Sequence, residues 1–76
     1  MEVAPRISVD PGVHHGTPVI SGTRVPVSIV VGSLAGGMSQ DEVMREYDLA
    51  REDIEAALAY AADVVARTNV LPLAEA

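Results

Sequence analysis

Apolar residues along this chain follow two rhythms. Near the start the spacing is that of extended backbone: Ile7 and Val9 alternate around Ser8, and Asp10-Pro11-Gly12 reads as a turn. Val19-Ile20 forms a second short apolar pair, closed by Ser21-Gly22. Residues 6–9 and 18–21 are therefore expected to pair as a small β-hairpin. From Pro26 onward the spacing turns helical. Proline suits the first turn of a helix and holds its predecessor extended, so Val25-Pro26 predicts a helix from Pro26 to Ala35, stopped by Gly36-Gly37. Its Val27, Ile29, Val30, Val31, Leu34 and Ala35 are apolar on nearly all sides, as in a helix that is buried all round or lies in an interface.

Ser39 and Glu42 have the S-x-x-E spacing of a capping box, which opens a short second helix. Its expected inner face is Val43, Met44 and Tyr47, and Asp41 and Arg45 are spaced to pair across one turn. A third helix is expected from Arg51 to Ala66. Ile54, Leu58, Ala61 and Val65 make one stripe on it, widened by Ala57 and Val64, and Asp63 and Arg67 are spaced for a further pair. Ala50 falls at the N-cap, where it lacks the side-chain acceptor of Ser or Thr at a cost of ~1 kcal/mol. Arg51 stands at the unfavourable end of the helix dipole. Thr68-Asn69 and Pro72 then break the helical pattern. The expected fold is mostly α: a three-helix, helix-turn-helix bundle over residues 1–66, with a short N-terminal β-hairpin and an extended tail over residues 67–76.

Composition narrows the functional classes. The chain has 76 residues, no cysteine, phenylalanine or tryptophan, and only two tyrosines. A core of Val, Ile, Leu and Ala in so short a chain is thin, which favours a homo-oligomer, with a dimer the simplest form. Disulfides and thiolate metal sites are closed to it. No signal layout and no run of about 20 apolar residues is present, so the chain reads as cytoplasmic and without a membrane partner. Its five basic residues are all arginine, against eleven acids and a net charge of −6. A P-loop, which needs its lysine, is excluded. Generic nucleic-acid binding is disfavoured, and a basic protein partner is favoured.

The segment HHGTPVISGTRVPV, from His14 to Val27, concentrates the residues that resemble a site. Adjacent histidines in extended backbone point to opposite faces, and no third His or Cys completes a zinc shell, so His14 and His15 read as turn residues. Gly16-Thr17 and Gly22-Thr23 have turn chemistry, with an anion-binding nest as the less favoured reading. Arg24 is expected to tie the hairpin to carbonyls or to an acid of the second or third helix, with contact to a ligand or partner as the less favoured reading. Gly22 and Pro26 are structural, as are Ser39 and Glu42. The carboxylates Asp41, Glu42, Glu46, Glu52, Asp53 and Glu55 sit at helical spacing on solvated faces, and no catalytic motif is present, so no enzyme and no cofactor is expected. Were the second and third helices to meet DNA, Arg45 and Arg51 would be the contacts, although REDIE places three acids at the start of the presumptive reading helix.

Taken together, PVISGTRVPV (Pro18 to Val27), GMSQDEV and YDLAREDIEAALAYAA closely resemble the bacterial and archaeal family called domain of unknown function 433, over Ile7 to Val65. That resemblance implies a helix-turn-helix, homeodomain-like protein with an N-terminal β extension. It further implies an antitoxin loosely similar to VapB, partnered with a PIN-like ribonuclease toxin and able to repress the shared operon. Ala50 departs from the threonine cap frequent in the family. Nucleases of that type hold Mg²⁺ with clustered carboxylates, which an intruding arginine would engage. Arg67, with Val70, Leu71, Pro72 and Leu73 of the tail, is the segment best placed to intrude. The rival readings are a stand-alone transcriptional regulator and a structural oligomerisation module.

Overall fold

The structure is a computed structural model and describes residues 1–68. Three short strands lead into three helices: β1 (Glu2–Ala4), β2 (Ile7–Ser8), β3 (Val19–Ile20), α1 (Val27–Ala35), α2 (Gln40–Tyr47) and α3 (Arg51–Arg67). The strands form one antiparallel sheet in the order β1-β2-β3. The expected hairpin is its β2–β3 half, with Ile7 opposite Ile20 and Ser8 opposite Val19. Strand β1 is an addition that periodicity could not show, being three residues long. It reverses through Pro5-Arg6, where Arg6 takes a φ of 64° and donates its backbone N–H to the Glu2 carboxylate at 2.7 Å.

Helix starts and stops follow the local signals. Pro26 stands in extended conformation just before α1. At the other end Gly37, with a φ of 109°, reverses the chain so that Met38 N–H reaches the Ser33 carbonyl. Helix α2 ends the same way, with Leu49 N–H on the Met44 carbonyl, but the left-handed residue is Asp48 at a φ of 56°. Helix α3 runs one residue beyond the expected Ala66, to Arg67.

The core joins sheet and helices. Ile7, Ile20, Val30, Val43, Ile54 and Ala57 are completely buried, with Val27 and Leu49 closing the cluster. Half-buried Met44 and Tyr47 pack against it beside buried Val43, the expected inner face of α2. On α3 the expected stripe is rotated. Ile54 and Ala57 are its buried residues, while Leu58 and Val65 are exposed. Two lengths explain this. The nine residues of α1 extend about 13 Å, whereas the seventeen of α3 extend about 25 Å, so α1 cannot cover α3 along its whole length. Helix α1 is likewise not enclosed: Ile29 is exposed and only Val27 and Val30 are buried.

Candidate functional site

Three arginines are engaged by aspartates. Arg6 Nη1 donates to Asp53 Oδ1 at 2.9 Å, joining the β1–β2 turn to the first turn of α3. The other oxygen, Asp53 Oδ2, accepts the Ala50 N–H at 2.9 Å, so the third helical residue satisfies backbone that alanine cannot. Arg51 donates to Asp41 Oδ1 at 2.8 Å and to Gln40 Oε1 at 2.9 Å, linking the starts of α2 and α3. The expected Asp41–Arg45 pair is thus replaced: Asp41 lies at the start of α2, where the incoming Arg51 presents two donors. Arg67 Nε meets Asp63 Oδ2 at 3.1 Å, the pair expected from spacing.

Arg24 does not make the tie expected of it. Among the described residues its side chain has no hydrogen bond or ion pair, and it is exposed. Its backbone carbonyl does the local work, accepting from His14 Nε2 at 2.9 Å. The hairpin-to-helix link belongs to Arg6 instead. Sequence reasoning missed Arg6 because its turn exists only once β1 has paired.

The His14–Gly16 segment is a short 3₁₀ turn in which His14, His15 and Gly16 all have positive φ, at 51°, 56° and 88°. For the two histidines this conformation costs roughly 1–2 kcal/mol each. Because the Arg24 carbonyl can only accept, His14 Nε2 carries a proton and is not presented as a metal ligand. Nor do three or more His, Cys, Asp or Glu gather anywhere among the described residues. The Gly-Thr steps are turns: Thr23 Oγ1 donates to the Ile20 carbonyl and accepts from Val25 N–H, and Gly22 supplies the left-handed φ of 79°.

The α2–turn–α3 pair, joined through Asp48, Leu49 and Ala50, carries Arg45 on α2 and Arg51 at the start of α3, along a stretch that also holds seven acids from Asp41 to Glu55. Ser39 Oγ accepts Glu42 N–H at 3.1 Å and Glu42 Oε1 accepts Ser39 N–H at 2.7 Å, so the capping box is complete. The Ser39 backbone N–H, then its hydroxyl, hold the Glu42 carboxyl below its ordinary range, and Arg45 adds a weaker pull. At the far end of α3, Arg67 is 79% exposed. Val70, Leu71, Pro72 and Leu73 lie outside the described residues. Two shallow grooves flank Tyr60, one against α1 and one against Ala4 and Pro5.

Residues 7–61 match the family model described as Protein of unknown function (DUF433). The chain belongs to the DUF433 family. A crystal structure of Rv2018 from Mycobacterium tuberculosis is similar to this DUF433 chain, at 31% identity with a TM-score of 0.63, over 68% of this chain and 24% of that one. The chain thus spans about a quarter of that protein's length. No curated protein matches it. The DUF433 segment contains the core, the capping box, Arg24, Arg45 and Arg51. Strand β1, Arg67 and the tail fall outside it, so membership assigns them no role. No described helix of this DUF433 protein is long and apolar enough to cross a membrane.

Proposed function

We propose that this protein is the antitoxin of a toxin–antitoxin pair, a binding protein without catalytic activity of its own that neutralises a PIN-like ribonuclease. The observation that carries the reading is Arg67. It stands on the last turn of α3, 79% exposed, and leads directly into a segment bearing Val70, Leu71 and Leu73 in a protein of net charge −6. Its bond to Asp63 is a surface pair one turn apart, worth about 0.3–0.5 kcal/mol. A desolvated arginine on a partner's carboxylates is worth several times that, so Arg67 gives up Asp63 readily on binding. Val70, Leu71 and Leu73 of the tail then contribute apolar contacts beside the charged one.

Repression of the shared operon belongs to the complex rather than to the free chain. Arg51 is occupied by Asp41 and Gln40, and Arg45 stands among acids, so phosphate contact requires basic charge supplied by the partner. The reading is tested by affinity capture from the native host at moderate salt, with mass spectrometry of what is retained. Recovery of a small nuclease, lost when Arg67 is replaced by alanine together with Leu71 and Leu73 by aspartate, is expected. Recovery of DNA alone, or of nothing, contradicts it.

A further inference from the structure

A shallow groove of about 250 Å³ runs between the start of α1 and the second half of α3. Its walls are Pro18, Val27 and Val31 on one side and Tyr60, Ala61 and Val64 on the other, and no charged residue among the described ones lines it. Val65 stands on its rim 72% exposed, one helical stripe from exposed Leu58. We infer that this α1/α3 face is where a second copy of the chain docks, Val65 of each copy entering the groove of the other about a two-fold axis.

Two features select a second copy over other occupants. The first is where the charge lies. Seven of the eleven acids fall between Asp41 and Glu55, at α2 and the start of α3. Ten residues of helix, about 15 Å, separate Glu55 from Val65. Two chains of charge −6 repel unless they meet through an uncharged face remote from those acids, and this face is both. The second feature is self-complementarity. A two-fold contact needs one patch that carries both a projection and its recess. Here Val65 projects beside the recess, and Ala61 and Ser28 are small enough to let the helices approach.

The thin core points the same way. Among the described residues nine apolar side chains are buried, none larger than isoleucine or leucine, a small core that further apolar burial would strengthen. From Leu58 to Arg67 no α3 residue is fully buried and, among the described residues, Tyr60 alone of them packs against the core, so the outer half of that helix has little of the packing that stabilises a helix in water. Docking supplies it. The inference is independent of the nuclease reading, since its test contains no nuclease.

The test is the mass of the full chain by sedimentation, from micromolar to several hundred micromolar, with its thermal midpoint at each concentration. The wild type is expected at twice the single-chain mass with a midpoint that rises with concentration. Val65→Asp is expected at half that mass with unchanged far-ultraviolet helical signal, because Val65 is already mostly exposed in one chain. Val3→Asp, at an exposed apolar site on β1, remains dimeric. A wild type of single-chain mass throughout overturns the proposal, as does a dimeric Val65→Asp. A full-length Leu71→Asp/Leu73→Asp variant that turns monomeric also overturns it, because the tail is then what fills the groove.

Discussion

Arg6 and Asp53, forty-seven residues apart, meet at 2.9 Å, and the same carboxylate holds the first turn of α3. One side chain therefore serves as ion-pair partner and as substitute for a missing N-cap. The two roles separate by mutation. Arg6→Ala removes a half-exposed pair and is expected to cost about 0.5–1 kcal/mol. Asp53→Ala removes the pair and the bond to Ala50 N–H, and is expected to cost about 1–2 kcal/mol. In a urea double-mutant cycle the coupling should be close to the Arg6 value. Independent effects that simply add would show the pair to be idle.

The Glu42 carboxyl gives stability a definite pH dependence. Its value in the folded protein is lowered from an ordinary 4.5, so the charged form is favoured by folding. That contribution is fully present above the unfolded value and is lost as pH falls through 4.5 toward the folded value. Wild type should therefore lose stability across this window faster than Glu42→Gln, which keeps a hydrogen-bonding side chain without the titration. Parallel urea midpoints for the two proteins across the window would contradict the assignment.

Two turn positions have opposite expected responses. Gly22 has a φ of 79° with nothing near the site of a Cβ, so Gly22→Ala costs backbone strain alone, about 1 kcal/mol. Asp48 has a φ of 56° and places a negative charge at the C-terminus of α2. Asp48→Gly relieves both, and is expected to stabilise by about 0.5–1 kcal/mol, raising the thermal midpoint by a few degrees. A lowered midpoint would mean that the aspartate makes a contact of greater value than the strain.

Free chain is expected to bind duplex DNA weakly at physiological salt, and Arg45→Ala should leave that weak binding unchanged. Tight binding that weakens steeply with salt and disappears in Arg45→Ala, followed by fluorescence anisotropy, would favour a stand-alone regulator instead.

How far the sequence revealed these features depended on range. Pro26, Gly36-Gly37, Ser39 and Glu42 act within one or two turns, and the limits of α1 and α2 follow from them. Strand β1 is too short to carry a period, and its pairing with β2 depends on a turn in which Arg6 adopts positive φ. The core-facing side of α3 was displaced because helical spacing identifies apolar positions but not which of them a shorter neighbour can reach. The Arg6–Asp53 tie is not legible for a related reason: a contact across 47 residues leaves no mark in local spacing. The stripe of Leu58 and Val65 is legible as apolar, and only the fold shows that both are exposed among the described residues.

The most direct test of the nuclease reading is a titration of RNA cleavage by the co-purified nuclease with the full-length protein. Cleavage should fall to background near one chain per nuclease, and Arg67→Ala should weaken inhibition at least about tenfold while leaving the helical signal unchanged. Cleavage that continues at full rate in the presence of excess protein would contradict the antitoxin function. Inhibition that is indifferent to Arg67 would move the contact elsewhere on the surface.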